Sequence, residues 1–549
     1  MKHFLRKAAL SAFLLASAAA PAYAADPGAN PHRPNFLVIV ADDLGYSDIG
    51  AFGGEISTPN LDRLALQGTR LTDFHTAPAC SPTRAMLLTG ADSHVAGLGS
   101  MAESISPNQQ GKPGYEGYLR RDVATIAERL SADGYRTLFS GKWHLGLTPA
   151  QDPHARGFQT SFAMLRGAHN HFGRDFSVDP ALGAPYTENG KALTALPQRF
   201  YSSDAFADRL IGQLQAAHKE AADKPFLAVL TFTAPHWPLQ APAEDIARYR
   251  GRYDAGFEVL RQKRLKRQEE LGLLAPGTAA HQPRLTTGWD ALTAEQKRDA
   301  ARNMEIYAAM VDRLDRNVGR VLDTLRAEGE LDDTVVIFLA DNGAEGLDPE
   351  TTGKELMARY LKDADNSLEN RGSGTSYVAY GPGWAPAATA PSWLIKGYAT
   401  EGGTRTTAFV SGPGLASGGK VADAFTHVTD IVPTILDLAG VPERADPALR
   451  PITGKSWVPY LTGRAKAVHG AEEAVGTELF GSRSIRQGDW KISDIGDGQW
   501  RLFDLANDPG ETRDLAGQQP ERLRALIQAW DDYARNRGVI MPDGVRYRP

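Results

Sequence analysis

Short apolar runs of strand length alternate with amphipathic helical patterns along this chain, and this alternation constrains the fold more than any other feature of the sequence. The runs lie at 36–40, 135–139, 226–232 and 334–339. They are continuously apolar, which is typical of strands covered on both faces by helices. Helical patterns precede the second and fourth runs, at 123–130 and 302–325, and another begins at Thr58-Pro59. The sequence therefore predicts a doubly wound α/β fold with a largely parallel sheet.

Polar or ionisable residues follow each of these four runs. They are Asp42-Asp43, Gly141-Lys142-Trp143-His144, Pro235-His236 and Asp341-Asn342. The carboxyl ends of parallel strands meet along one edge of a sheet, where the ligand crevice of an open α/β sheet lies. We therefore expect these side chains to converge on one site.

Three carboxylates in one crevice, from Asp42, Asp43 and Asp341, would repel one another by on the order of 4 kcal/mol for each close pair. A bound cation would offset this repulsion. Oxygen ligands from the three carboxylates and the Asn342 amide favour a hard ion, Ca²⁺ or Mg²⁺, over zinc. The alternative is that each pair consists only of turn and capping residues. Two such pairs after two strands favour the metal site.

Cys80 is the single cysteine of the sequence, so it forms no internal disulfide. Pro82 suits a first helical turn and residues 86–88 are apolar, which places Cys80 at the start of a helix. The unpaired amides and dipole of a helix N-terminus favour an anion, and Arg84 lies one turn further on. The alternative is a small buried thiol, which the position at a helix start argues against.

Four further side chains, those of Lys142, His144, His236 and Lys396, could bind an anionic substrate and protonate a leaving group. Each also has a simpler interpretation, as a solvated turn residue, a core histidine, a loop histidine and a surface lysine respectively.

The segment Cys80-Ser81-Pro82-Thr83-Arg84-Ala85-Met86-Leu87-Leu88-Thr89-Gly90 resembles the sulfatase signature C-x-P-x-R-x-x-x-x-T-G and matches it at every specified position. Other segments along the chain are similar to sulfatase motifs in the same order. They are Asp42-Asp43, the Gly141 segment, Ala234-Pro235-His236, Asp341-Asn342-Gly343, Lys396 with 401–405, and His427-Val428-Thr429-Asp430. The segments 91–99 and 251–254 are most similar to the long bacterial arylsulfatases.

The resemblance implies an alkaline-phosphatase-like fold, with a large, predominantly parallel sheet flanked by helices and a smaller C-terminal α+β domain containing a four-stranded antiparallel sheet. On this basis we expect a catalytic domain at 25–445 and a small domain at 446–549. The runs at 488–492 and 500–505 read as strands of the small domain, before a helix near 520–536.

The resemblance also implies an activity, the hydrolysis of sulfate monoesters and of aryl sulfates in particular. Cys80 would be oxidised to formylglycine by a formylglycine-generating enzyme. One Ca²⁺ would be bound by Asp42, Asp43, Asp341, Asn342 and the modified Cys80. The implied catalytic residues are Cys80, Arg84, Lys142, His144, His236 and Lys396.

The N-terminus has the pattern of a signal peptide. Basic residues precede the apolar run 8–19, and Ala22-Tyr23-Ala24 suits cleavage, so we expect residues 1–24 to direct export to the periplasm or the medium. This run is too short to span a membrane, and we expect no membrane partner. A net charge of −6 gives no basic surface for nucleic acid, so a small-molecule sulfate ester is the expected partner.

Two alternatives remain open from the sequence. A phosphonate monoester or phosphodiester hydrolase would use a similar nucleophile on a different anion. A secreted calcium-binding protein without activity would keep Cys80 as a thiol.

Overall fold

The computed structural model of the chain describes residues 33–544, except 176–184, 283–284, 352–353, 416–417 and 444–445. The predicted signal peptide, residues 1–24, lies outside the described residues. The predicted domain boundary after residue 445 also falls on residues that are not described.

Sixteen strands run through the described residues. They are β1 (Asn35–Ala41), β2 (Thr69–Leu71), β3 (Phe74–His75), β4 (Arg136–Lys142), β5 (Thr160–Met164), β6 (Tyr186–Glu188), β7 (Lys191–Ala192), β8 (Phe226–Thr231), β9 (Thr334–Ala340), β10 (Ala408–Ser411), β11 (Lys420–Ala422), β12 (Thr426–His427), β13 (Ala474–Leu479), β14 (Ser482–Gln487), β15 (Trp490–Asp494) and β16 (Arg501–Asp504).

Fourteen α-helices lie in the same described ranges. They are α1 (Pro59–Gln67), α2 (Cys80–Thr89), α3 (Ser93–Ala96), α4 (Ile126–Ala132), α5 (Ser202–Glu220), α6 (Ala243–Ala247), α7 (Phe257–Glu270), α8 (Ala294–Ala327), α9 (Lys354–Leu361), α10 (Gly381–Ala388), α11 (Glu401–Thr404), α12 (Ile431–Leu438), α13 (Val458–Leu461) and α14 (Pro520–Arg537). None of the described helices combines the length and the apolar character needed to cross a lipid bilayer.

The described strands build a ten-stranded sheet in the order β11-β2-β10-β9-β1-β8-β4-β5-β6-β7. The centre of the sheet, from β9 to β5, is parallel throughout. The edges are mixed, since β10 is antiparallel to both of its neighbours and β6 and β7 form an antiparallel hairpin. Asn189 and Gly190 close that hairpin with positive φ angles of 47° and 78°, which a two-residue turn of this kind requires. The four predicted strands are the adjacent central strands β9, β1, β8 and β4.

Helices cover both faces of the sheet, which explains the continuous apolar runs of the central strands. Along β1, Leu37 and Ile39 pack in a core with α1, α5 and α8. The alternate residues Phe36, Val38 and Val40 pack on the opposite face with α2, α4 and α12. Because both faces are buried, both sets of side chains must be apolar.

A C-terminal subdomain, which we define as β13–β16 and α14, contains a four-stranded antiparallel sheet in sequential order. Its core consists of Ile485, Ile492 and Leu502 from the sheet with Leu526 and Trp530 from α14. The predicted fold class is therefore confirmed, together with β15, β16 and α14. The sequence analysis did not identify β13 and β14. Strand β14 is largely polar because the face of the sheet opposite α14 is buried against the rest of the chain through ion pairs such as Arg486–Asp73 and hydrogen bonds.

A buried histidine joins the C-terminal subdomain to the rest of the chain. His94 of α3 lies 3.1 Å from Asp92 Oδ1 through Nδ1 and 3.5 Å from Glu478 Oε2 on β13 through Nε2. The Tyr533 hydroxyl on α14 donates to Asp92 Oδ2 at 2.8 Å. Burial disfavours a charged ring, but the hydrogen bonds to Asp92 and Glu478 raise the pKa of His94 to about 9. The imidazolium therefore links two carboxylates across this contact.

Replacing His94 with glutamine is expected to lower the free energy of unfolding by roughly 3 kcal/mol at pH 6.5 or below, and by less as the pH rises. A pKa that is higher in the folded than in the unfolded state gives stability that is complete below the unfolded value and is lost as the pH rises through about 9. Urea unfolding midpoints from pH 6 to 10 measure the difference. The exposed His154 gives the matched control His154→Gln, and a difference from wild type that did not change with pH would contradict this account of His94.

Candidate active site

The ends of the four central strands bring the predicted polar residues to one place. β1 pairs in register with β9 on one side and β8 on the other, and β8 pairs with β4. Just beyond the strand ends, the Asp42 amide donates to the Ala234 carbonyl and the Asp341 amide donates to the Ala41 carbonyl, each at 3.1 Å. The residues that follow each strand are therefore held in adjacent positions by the sheet itself.

The backbone at these strand ends takes conformations that few residues adopt. Gly141 has φ +133°, and a Cβ there would lie 1.8 Å from the Thr231 carbonyl oxygen on β8, so that only glycine fits. Asp43 and His144 have φ angles of +63° and +57°. Left-handed conformations of non-glycine residues are costly and concentrate at functional sites. At Asp43 and His144 this conformation turns the chain away from the direction of the preceding strand.

Cys80 is the first residue of α2, as the sequence predicts, and its side chain is buried. Its Sγ lies 3.4 Å from Asp42 Oδ1 and 3.9 Å from Asp43 Oδ1. Burial raises the pKa of the Cys80 thiol well above its usual value, and the positive charge of Lys142 opposes this only in part. The unmodified side chain is therefore a protonated thiol that donates to carboxylates.

Arg84, one turn along α2, is buried and binds across the sheet edge. Its Nε and Nη2 donate to Asp341 Oδ2 at 3.0 and 2.8 Å, and its Nη1 donates to the Lys142 carbonyl at 2.8 Å. Arg84 Nη2 also lies 3.7 Å from Asp42 Oδ1. The guanidinium therefore ties α2 to the ends of β9 and β4.

Two buried lysines hold the two adjacent carboxylates. Lys142 Nζ donates to Asp42 Oδ2 at 2.6 Å. Lys396 Nζ lies 2.8 Å from Asp43 Oδ1 and 3.0 Å from Glu345 Oε2. The Lys396 segment is fixed by its own backbone, since the Lys396 amide donates to the Ala344 carbonyl at 3.0 Å. The structure thus places Lys396 at the site, not on the surface.

The charges of the site shift the pKa values of its carboxylates in opposite directions. Burial alone would raise the pKa of Asp42. The positive charges of Lys142, of His236 in the acidic range where its ring is protonated, and of Arg84 lower it to about 2. Burial and the negative charge of Asp42 raise the pKa of Asp341. The site thus holds ionised Asp42 firmly, and further positive charge would favour the ionised form of Asp341.

His236 lies on the other side of Asp43, with Nε2 3.5 Å from Asp43 Oδ2. Its Nδ1–H donates to the Trp237 carbonyl at 2.6 Å. Burial lowers the pKa of His236 to about 3 despite the attraction of Asp42, and the charges of Lys396 and Lys142 act in the same direction as burial. The ring is therefore neutral at neutral pH until an anion binds beside it.

His144 contacts a residue that the sequence analysis did not identify. Its Nε2 lies 3.1 and 3.3 Å from the two carboxylate oxygens of Glu103. Its buried Nδ1 has no hydrogen-bond partner within the described part of the chain. Glu345 was missed as well, although it follows Asp341 by only four residues. Glu103 lies in a short 3₁₀ helix, Ala102–Ser104, and Glu345 lies in a loop, and no periodic pattern marks either residue.

The donor atoms at this site fit a hard divalent cation. Asn342 Nδ2 donates to Asp43 Oδ1 at 2.7 Å, while its Oδ1 is buried and has no hydrogen-bond partner in the described ranges. Asp42, Asp43, Cys80 and His236 each offer one atom within 4.8 Å of the others. Two of these four atoms are carboxylate oxygens, and the orphaned Asn342 amide oxygen beside them is a ligand that Ca²⁺ accepts. Asp341 lies next to this group but is bound by Arg84.

Two segments that could frame a substrate have different surroundings. Helix α7 packs against α10, and Trp384 is buried between Phe257 and Trp289 in the core. Tyr377, from the loop that precedes α10, and the half-exposed Tyr360 of α9 stack on each other instead at 5.0 Å. The Tyr377 ring lies 6.0 Å from the Trp237 ring, which brings this pair of tyrosines near the site.

The fold is shared with solved structures of other proteins. The crystal structure of Ps i-CgsB superposes with a TM-score of 0.67 over 94% of this chain and 95% of that chain, at 24% sequence identity. The structure of BT4656 in complex with D-glucosamine-2-N,6-O-disulfate gives a TM-score of 0.60 over 93% and 99% of the two chains, at 22% identity. These likenesses show a common fold.

Sequence comparisons identify the family. A family model described as Sulfatase matches residues 34–441. An uncharacterized sulfatase of Schizosaccharomyces pombe is 48% identical over 532 residues, which cover 93% of this chain and 95% of that protein. An arylsulfatase of Klebsiella aerogenes is 40% identical over 430 residues, which cover 77% of this chain and 90% of that protein. With Cys80 at the start of α2 beside the carboxylates of β1, the chain belongs to the sulfatase family.

Proposed function

We propose that this sulfatase hydrolyses aryl sulfates, with Cys80 converted to formylglycine and one Ca²⁺ bound beside it. Sulfate ester hydrolysis itself follows from membership of the family. The observation that carries the finer proposal is the placement of Cys80 Sγ, buried at a helix N-terminus 3.4 Å from Asp42 and 3.9 Å from Asp43.

The chemistry of sulfur explains why a modified cysteine is needed. A thiolate that attacked a sulfate ester would end as a stable S-sulfonate and could not turn over. The hydrate of formylglycine supplies two hydroxyl groups, one that attacks sulfur and one whose deprotonation lets sulfate leave. Maturation would require a formylglycine-generating enzyme, which would recognise the signature from Cys80 to Gly90.

The chain's oxygen ligands support the proposed cation. Asp42, Asp43, Asp341 and Asn342, with the modified Cys80, would hold one Ca²⁺, which would stabilise negative charge on the attacking oxygen and on sulfate. Asn342 Oδ1, buried without a partner among the described residues, supports this assignment.

The remaining side chains hold the substrate and move protons. Lys142 and Lys396, each bound to one carboxylate, present positive charge to a sulfate group. The hydrogen bond of His236 to the backbone uses Nδ1 and leaves Nε2 facing the site. Once a bound anion raises the proton affinity of the ring, Nε2 can pass a proton to the leaving oxygen. Arg84 fixes Asp341 and the start of α2, and His144 takes the proton that allows sulfate to depart.

An aromatic row beside His236 supports the preference for aryl esters. The Trp237 ring lies 4.6 Å from the His236 ring, the Tyr377 ring follows at 6.0 Å, and Tyr360 stacks on Tyr377. Flat apolar surfaces of this kind bind aromatic groups by offset stacking, at about 0.5–1.5 kcal/mol for each contact. An aryl leaving group held near His236 would lie against this row.

Replacing Trp237 with leucine is expected to raise KM for an aryl sulfate by about 3–10-fold, from the loss of one such contact. KM for a sugar sulfate should change little, since the sulfate-binding groups remain. The His236 contact uses the Trp237 backbone carbonyl, so the substitution preserves it. Steady-state kinetics on both substrates, with protein of equal formylglycine content, measure the effect.

Trp393→Leu is the matched control, because Trp393 stacks on His281 outside the site. An aryl phosphonate monoester in the same panel tests the other reaction considered from the sequence. A wild-type kcat/KM that was higher for the phosphonate than for the aryl sulfate would overturn the proposed function, and equal KM changes for aryl and sugar sulfates would overturn the role of the aromatic row.

Export and domain division remain part of the proposal. Residues 1–24 would direct the chain to the periplasm or the medium, where small sulfate esters are available. Residues 25–445 would form the catalytic domain and 446–549 the small domain.

A further inference from the structure

We propose that Glu103 is a positioning residue for His144: it accepts the Nε2–H hydrogen bond and so leaves Nδ1 as the proton acceptor that drives sulfate release. The proposal rests on the mechanism above and adds a residue outside every motif of the signature. Its starting point is the pair of contacts from Nε2 to both Glu103 oxygens, at 3.1 and 3.3 Å, together with the buried, unpartnered Nδ1 in the described structure.

The imidazole is held between Glu103 and the backbone. A Cβ on Gly167 would lie 2.6 Å from His144 Cε1, 2.7 Å from His144 Nε2 and 3.1 Å from Glu103 Oε1. Glycine at 167 therefore leaves room for the ring edge that carries Cε1 and Nε2, beside the Glu103 carboxylate. The ring has little freedom to flip, because a flip would replace the Nε2 contact with a carbon atom.

An ionised carboxylate only accepts hydrogen bonds, so the nitrogen that it contacts carries the proton in the neutral ring. The other nitrogen, Nδ1, then has a free lone pair. When sulfate departs, the free hydroxyl of the modified Cys80 gives its proton to Nδ1. The O–H electron pair forms the aldehyde C=O, and the bond from the same carbon to the sulfate oxygen breaks with its electrons on sulfate. Glu103 stabilises the resulting imidazolium, as carboxylates do in related pairs.

The expected effect of Glu103 on His144 depends on how far the Glu103 side chain is exposed to water. The Glu103 side chain is about half exposed, at 53%, so water screens part of its charge. Two titratable groups face Glu103, His144 and Lys142, and Lys142 is bound to Asp42. We therefore expect a moderate loss of rate, not a complete one, when this carboxylate is removed.

Glu103→Gln is expected to mix the two tautomers of His144, because an amide can donate as well as accept a hydrogen bond. Nuclear magnetic resonance of ¹⁵N-labelled histidine, recorded on protein with unmodified Cys80 and assigned with His144→Gln, measures the tautomer ratio without any turnover. In mature protein, the same variant should lose about 3–10-fold in kcat with little change in KM. Glu103→Asp keeps the charge and should restore part of each loss.

Glu330→Gln is the matched control, because Glu330 binds His218 at 2.6 Å in a carboxylate–histidine pair outside the site. It should leave the His144 signals and kcat unchanged. An identical His144 tautomer ratio in wild type and Glu103→Gln would overturn the proposal. An inactive wild type with full formylglycine content would instead overturn the proposed function. The tautomer measurement does not depend on activity and would still show whether Glu103 positions His144.

Discussion

Replacing Cys80 with alanine is expected to reduce sulfate ester hydrolysis by at least about 10⁴-fold, because removal of a covalent nucleophile costs an enzyme most of its rate acceleration. The substitution removes one sulfur atom from a buried position at the start of α2 and leaves the carboxylates and lysines of the site in place. Initial rates on an aryl sulfate, compared with wild type at equal protein concentration, measure the loss.

The neighbouring Ser81 provides a matched control in the same helical turn. Its buried Oγ has no hydrogen-bond partner in the described part of the chain, so Ser81→Ala should keep the rate within about threefold. Unchanged unfolding midpoints in both variants would exclude a collapse of the fold. Activity of Cys80→Ala within tenfold of wild type would show that the nucleophile lies elsewhere.

Asp43→Asn is expected to lower turnover by about 10²-fold or more and to weaken the response to Ca²⁺. Asparagine tolerates the left-handed backbone of this position, where φ is +63°, so the variant removes charge with little strain. Asp43 contacts Asn342, Lys396 and His236, and it is one of the proposed ligands. A hard divalent ion bound mainly by electrostatics should bind more weakly when one carboxylate becomes an amide. Titration of Ca²⁺ into chelated protein, followed by sulfate release, gives the affinity.

Asp48→Asn controls for the loss of any buried carboxylate. Asp48 binds Arg264, which keeps Glu55 as a second partner at 2.8 Å, and no proposed ligand is changed. This variant should need the same calcium concentration as wild type. Equal calcium response in Asp43→Asn and wild type would show that Asp43 does not bind the ion.

The central half of the large sheet could be predicted because burial on both faces forces continuous apolar runs. β9, β1, β8 and β4 therefore stand out from the sequence, and the residues after them mark the site. Strands at the sheet edges and in the C-terminal subdomain have no continuous apolar run. The β6–β7 hairpin is short and half exposed, and β14 holds a single apolar residue, Ile485.

The site could be predicted to the extent that its side chains follow strands. Lys396 follows no strand, so the sequence left open its interpretation as a surface lysine; backbone contacts with Ala344 bring it to the site. Glu103 lies in a single 3₁₀ turn and Glu345 in a loop, and the paths of both segments depend on tertiary packing.

The most direct test of the account is the chemical state of Cys80 in active protein. Mass spectrometry of the tryptic peptide that spans residues 71–84, isolated from a preparation of known specific activity, should show loss of the elements of H₂S and gain of one oxygen. The same peptide should react with an aldehyde probe, and the modified fraction should rise in proportion to specific activity. A fully active sample in which this peptide carried only the unmodified thiol would contradict the account.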